Sequence, residues 1–459
     1  MKEAFLALFL ILVIGCTQVA EDKPVKEEKV IYSVGSGLWS SGKTWNLNRV
    51  PGADDIVVIS NGTVVEYDLK SDEKIANITV YGRLKFSENN DTLLRVGNVL
   101  VFGRLEIGTE SKPIENRAEV RFILENESKL KGGFTYEPAD VGLWIMGGSL
   151  EIRGKEMKNT WTRLAEDVEE LDRKLVLDRT VGWEKGDHIF ITSTSFDMNE
   201  TEENYIGSID GNGIELKYPL KYGHYGSYPL AAEVGLLTRN VVITSDKHDG
   251  KAHTLILGGG SANISYAEFS YLGPENVLSR YPIHFHVLGD RRGNYVRGNA
   301  IWNSGNRCIT VHDTDNLVVE GNVAFNTSGH CFFLETGIEQ GNRFINNLGA
   351  LVFESNATLS DSRASVFWIT NPRNVFINNS AASSDGPNYW FVLNETLNTS
   401  RMPLLIFDNN TGHSSLESAL FIEGFGTDTG LDAEEESVFK NVIAWKSNEQ
   451  GIWARGNSL

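Results

Sequence analysis

His284, His286, His312 and Glu335 are the side chains whose types and spacing could do chemistry together. The segments NAIWNSGNRCITVH, from Asn299, and NVAFNTSGHCFFLE, from Asn322, align without a gap at an offset of 335 − 312 = 23 residues. If each segment is one turn of a solenoid, equivalent positions stack about 4.8 Å apart across a parallel ladder. Cys308 then meets Cys331, Thr310 meets Phe333 and His312 meets Glu335, while Ile309, Val311, Phe332 and Leu334 take the alternate, inward side. An offset of 312 − 286 = 26, with a small loop around Asp290 to Gly293, sets His286 beside His312. The product is an outward column of His286, His312 and Glu335, flanked by His284. Two or three imidazoles with one carboxylate form a ligand set for a divalent transition metal, with room left for water or substrate. Such an ion acidifies bound water or neutralises a sugar carboxylate so that a neighbouring proton can leave. Without a metal, the same groups are a general acid and base near neutrality.

The elements that must carry these residues are short strands. A repeat of about this length, with apolar alternation and corners of Asn, Ser and Gly, describes a parallel β-helix. Further coils begin near Asn342, Asn374, Leu405 and Phe439, and each pairs an Asn-rich corner with an apolar strand. Upstream, Asp55 to Ser60, Ile75 to Val80 and Asn98 to Glu106 alternate as strands, separated by glycine turns such as Gly82 and Gly103. Helical periodicity is confined to Leu164 to Lys174, so the class is all-β.

Composition sets the surroundings. With 45 Gly and 11 Pro the chain reads as short strands and tight turns, and its net charge of −19 argues against nucleic acid, which requires a basic face. Met1 to Ile14 holds a lysine and an apolar run, followed by Gly15 and Cys16, which reads as a secretion signal with a lipoprotein-type box. Cys16 would then be acylated, residues 17–30 would be a charged tether, and the chain would sit outside the cell on the membrane; an uncleaved anchor is the alternative. Cys308 and Cys331 remain, as one bridge or as two free thiols.

Arg280 and Arg307 belong to a group of arginines around the His coils that could hold a carboxylated glycan with forked contacts, or could pair with neighbouring acids such as Asp313 and Glu339. His330 sits on the coil position of Arg307 and is a further binding candidate, as is His224 in the Tyr-rich loop KYGHYG, where aromatic rings suit stacking on sugars. The bland alternatives are a corner histidine satisfied by the backbone and an aromatic loop packed on the solenoid.

The opening SVGSGLWSSGKTWNLNRVPGADDIVVI resembles the eight-glycine domain at the front of the cell migration-inducing hyaluronidases and of fibrocystin and its relatives. VGWEKGDHIFITSTSF, YPIHFHVLGD and RCITVHD with GHCFFLETGIEQGNRF are similar to later segments of the same family, in the same order. The resemblance implies an eight-glycine β domain over 31–150, a connecting β region over 151–260 and a right-handed parallel β-helix over 261–459. It also implies that acidic residues of the front domain take part in activity, and the matching positions are Asp55 and Asp68. The expectation is an extracellular enzyme that depolymerises an acidic or related polysaccharide within the chain. The rival is a non-catalytic, cell-surface glycan-binding or adhesion protein like the fibrocystin branch.

Overall fold

The computed structural model describes residues 30–123, 141–246, 252–422 and 435–455. Cys16, its apolar leader, the tether up to residue 29 and most of the acidic stretch Asp428 to Glu436 lie outside the described residues.

The described chain winds into a parallel β-helix with three faces. A 22-stranded sheet wraps two of them and a 12-stranded sheet forms the third. Strands repeat in order, so that Arg343–Ile345, Val375–Ile377 and Ile406–Asp408 stack in parallel on the third face, at the coil starts read from the sequence. The glycine-rich front forms the first coils of this same solenoid: Ile56–Ile59 pairs with Lys70–Val80, which pairs with Thr92–Val101. One core runs through the coils, from Ile31 to Ile422. Inward rings stack at ladder spacing, Phe332 on Phe367 at 4.6 Å and Phe367 on Tyr389 at 4.8 Å, a geometry that adds to the burial energy of large rings.

Corner asparagines explain why the turns hold. Asn299, Asn322, Asn347, Asn379 and Asn410 form a buried file in which each Oδ1 after the first accepts the backbone N–H and side-chain amide of the asparagine one coil earlier, at 3.0 Å throughout. Turn amides that would otherwise be buried without partners are satisfied by this file. Glycine has a different task at Gly103, where a Cβ would fall 2.1 Å from the Gly82 carbonyl oxygen, so successive coils could not close on each other.

The segment with helical periodicity, Leu164 to Lys174, forms no α-helix; Leu164 bridges Leu177 and Val168 bridges His224. Leu164 and Val168 enter the core of a six-stranded antiparallel sheet, inserted between two coils, while Leu171 stays exposed. Tertiary burial overrides the local period there. This sheet lies against one solenoid face: the Trp161 indole donates to the Asn346 carbonyl at 2.8 Å and Phe190 stacks on Phe325 at 4.6 Å. Buried Glu233 accepts from Ser380 at 2.6 Å and faces His413 at 2.9 Å.

Candidate metal centre

Strand Ile283–Asp290 pairs in parallel with Ile309–Asp315, with His284 on Thr310 and His286 on His312. Ile309–Asp315 pairs in turn with Phe332–Leu334, with Thr310 on Phe333, and the Glu335 N–H donates to the Val311 carbonyl at 3.1 Å. Ile283, Phe285, Val311 and Leu334 fill the core and lock the register, because a one-residue slip would bury the polar column and expose them. Cys308 and Cys331 form a disulfide between adjacent coils at the start of these strands.

The column becomes a tight cluster. One ring nitrogen from each of His284, His286 and His312 lies within 4.8 Å of the others. His286 Nδ1 is 3.0 Å from His312 Nδ1. Glu335 Oε2 lies 3.6 Å from His284 Nε2 and 3.4 Å from His312 Nδ1. His284 Nδ1 donates to the Ser279 carbonyl at 3.2 Å, which leaves Nε2 as a lone pair aimed at the carboxylate. Both Nε2 of His284 and Oε2 of Glu335 are buried without a hydrogen-bond partner among the described residues. Two electron-rich atoms facing each other in a low-dielectric site are costly unless a metal cation or a proton lies between them.

Electrostatics follow the burial. Burial, then the charges of His286 and His312, press the wholly buried His284 well below the usual imidazole range. Burial and then His312 lower His286. Burial raises Glu335, and nearby His312 and Arg307 pull it back. Neutral imidazoles are the ligating form. His284 is closed off, while the side chains of His312 and Glu335 keep 18% and 21% exposure, so the cluster opens on their side. Asp313, which follows His312, has Oδ1 3.9 Å from His312 Nε2 and accepts from Thr336.

Other expected site residues stand elsewhere or are occupied. Arg307 is buried, donates to the Tyr281 hydroxyl and pairs with buried Asp361 at 3.0 Å, so it braces the wall behind the cluster and does not face a ligand. His330 is buried too: its Nδ1 accepts from the Ser365 N–H at 3.0 Å and Trp368 covers its ring at 4.0 Å. Arg280 lies over the Trp144 ring at 5.3 Å. His224 is buried in the inserted sheet, with Nδ1 at 3.0 Å from the Thr192 carbonyl oxygen and Nε2 at 3.1 Å from Glu202, and cannot stack on a sugar.

Asp55 and Asp68 are not brought to the cluster. Asp55 precedes a strand that is five pairings from His284, roughly 24 Å along the axis. It is 2% exposed and clasped by Arg49 at 2.5 and 2.8 Å. Asp68 accepts from Ser40 N–H at 3.0 Å and Ser40 Oγ at 2.6 Å. Both secure the first coils. Sequence reasoning missed Ser279, Tyr281 and Asp361, which wall the cluster from corner loops. Tyr281 stands beside the YPIHFH motif, whereas Asp361 sits in a loop without any periodic signal.

Fold and site together define a parallel β-helical protein with a histidine-rich centre on an outward face. Residues 44–165 match the G8 domain and residues 250–420 match the CEMIP beta-helix. The chain is 30% identical over 497 residues to human fibrocystin-L, which covers 92% of this chain and 12% of that protein. It is 31% identical over 420 residues to protein rliB of Dictyostelium discoideum, covering 82% of this chain and 37% of that one. Among solved structures it matches the tailspike protein gp49 from Pseudomonas phage LKA1, with a TM-score of 0.20, 10% identity, and coverage of 84% of this chain and 72% of that chain. The chain belongs to the family that joins a G8 domain to a CEMIP-type β-helix, the cell migration-inducing hyaluronidase and fibrocystin family. It spans well under half the length of the curated relatives named here.

Proposed function

We propose that this chain is an extracellular, metal-assisted polysaccharide depolymerase centred on His284, His286, His312 and Glu335. The observation that carries the reading is the buried lone pair of His284 Nε2, set 3.6 Å from a Glu335 oxygen, with neither atom hydrogen-bonded. His286, His312 and Glu335 would supply three ligands and His284 the fourth, and the imidazole-rich set suits zinc or a similar ion rather than calcium or magnesium. The ion would supply a positive centre that neutralises a sugar carboxylate.

The reaction this set fits best is β-elimination on a uronate. Hydrolysis uses a pair of carboxylates flanking the bond, and Asp55 and Asp68 are too remote to join Glu335. In elimination a base at the rim of the cluster, outside the metal's ligand set, takes the C5 proton, the electron pair forms the C4–C5 double bond, and the glycosidic oxygen leaves C4 with a proton from a neighbouring acid. The disulfide between Cys308 and Cys331 supports an oxidising, extracellular setting. Acylation of Cys16 would tether the protein to a membrane, and mass spectrometry of its N-terminal peptide tests that.

One observation favours a second reading, a glycan-binding or adhesion protein without catalysis: both acids carried over from the family are locked in internal contacts. Elemental analysis and incubation with uronate-containing glycans, for the wild type and a His312→Ala, Glu335→Ala variant, separate the two. Stoichiometric metal and an unsaturated, ultraviolet-absorbing product, both lost in the variant, support the lyase. New reducing ends without that chromophore refute elimination, and no shortening at all leaves the binding protein.

A further inference from the structure

On the third face, well before the His coils, strands Arg83–Phe86 and Arg104–Ile107 stack in parallel, with Arg83 on Arg104 and Lys85 on Glu106. After the second strand the chain hooks back through Thr109 and Lys112, which exchange backbone hydrogen bonds at 2.8 and 3.0 Å. Between the hook and the strands lies a cavity of about 360 Å³. Its lining includes the cations Arg83, Lys85, Arg104 and Lys112 and the carboxylates Glu88 and Glu106, a positive excess in a chain of net charge −19.

Glu106 explains how the cations are held. It is 3% exposed and sits between two guanidiniums: Arg83 Nε donates to one oxygen at 2.7 Å and Arg104 pairs with the other. The Arg83 and Arg104 side chains remain 44% and 47% exposed. Two carboxylate oxygens can occupy only part of the ten N–H donors that two guanidiniums carry. The buried carboxylate thus fixes two planar guanidiniums in the lining of the cavity: Arg83 keeps Nη1 free of Glu106, and Arg104 has Nη2 at 3.6 Å from Glu151, a contact long enough for an incoming carboxylate to displace. Thr109 and Ser111 add hydroxyls at the rim, suited to sugar hydroxyls. Lys112 is tied loosely, to Glu88 at 3.4 Å, while Lys85 is held tightly by Glu66, outside the cavity, at 2.6 Å.

We propose that this cleft binds an anionic saccharide unit through Arg83 and Arg104, separately from the His cluster. The cleft strands are three pairings along the third face from Tyr295–Arg297, the strand of the His coil, or roughly 14 Å along the axis. Binding here requires no cleavage, so the inference stands whether or not the depolymerase reading does.

The test is titration calorimetry with an oligogalacturonate trimer, run on the His312→Ala, Glu335→Ala background so that the other site is silent. Maltotriose and inorganic phosphate serve as comparison ligands. The trimer is expected to bind, Arg83→Ala with Arg104→Ala to weaken it at least about tenfold, and the double Lys replacement to restore part of the loss. If the alanine pair unfolds, Lys112→Glu on the hook asks the same question and should weaken the trimer severalfold. Absence of trimer binding, maltotriose binding equally well, phosphate competing as strongly as the trimer, or affinity unmoved by the substitutions overturns the proposal.

Discussion

Glu335→Gln separates a metal ligand from a structural carboxylate, because the two roles predict opposite signs without and with metal. Oε2 of Glu335 is buried, lacks a hydrogen-bond partner and faces two imidazole nitrogens at 3.4 and 3.6 Å. In the metal-free protein, replacing an unpartnered buried carboxylate by an amide that can donate to His284 Nε2 should return about 1–3 kcal/mol. With an unfolding entropy of about 2.1 cal/mol/K per residue, a chain of 459 residues gains about 1 °C per kcal/mol, so Tm should rise by about 1–3 °C. In the wild type, zinc at a hundred times its Kd should add about 2.7 kcal/mol, again close to 3 °C. The variant should lose most of that increment. Differential scanning calorimetry in chelator and in zinc reads both arms. A variant that melts lower in chelator and keeps the full zinc shift would refute the ligand assignment and make Glu335 a packing residue.

Three further outcomes test the architecture. Asn347→Ala removes the middle of the asparagine file and strands the Asn322 N–H and the Val319 carbonyl, which Asn347 satisfies at 3.0 and 2.9 Å; urea unfolding should show a loss of about 3 kcal/mol. Burial alone would raise Glu233, but His413 and Arg163 hold it down to about 2 from an ordinary 4.5. Its contribution is therefore full above the unfolded value and lost as pH falls from about 5 towards 2, and hydrogen exchange should show the inserted sheet opening first in that window. His253 is buried, neither ring nitrogen has a hydrogen-bond partner among the described residues, and burial followed by Arg280 keeps it well below 6.5. The unfolded chain takes up that proton first, so stability should fall below about pH 6.5, and His253→Leu should flatten that slope in melts between about pH 7 and 5.

The parts of this structure that depend on stacking are legible in the sequence, because a parallel ladder turns an offset into a distance. The offset of 23 puts Cys308 on Cys331, where a disulfide joins them, and the offset of 26 puts His286 on His312, whose Nδ1 atoms lie 3.0 Å apart. The parts that depend on loops are not. Alternation places His284 outward, yet it has no exposure, since the corner segment with Ser279 and Tyr281 folds over it. Arg307 likewise looks available until Asp361, 54 residues on, claims it. Such loops carry no period, and nothing in their composition says which face they cover.

Roofing of this kind also decides where a polymer could lie. In the column of His284, Thr310 and Phe333, the next outward positions are Trp368, Trp390 and Phe421, and these rings form a buried apolar cluster. An uncovered aromatic column would be an obvious sugar platform, but these rings are already spent on the protein's own packing, with Arg363 laid over Trp390 at 4.6 Å. The exposed edge of the site is the next column, where His286, His312 and Glu335 stand. A saccharide approaching there meets imidazole and carboxylate before any aromatic ring. Affinity must then come from charge and hydrogen bonds, which salt weakens, rather than from stacking, which it does not. Glycan binding that survives molar salt unchanged would place the contact surface elsewhere on the molecule.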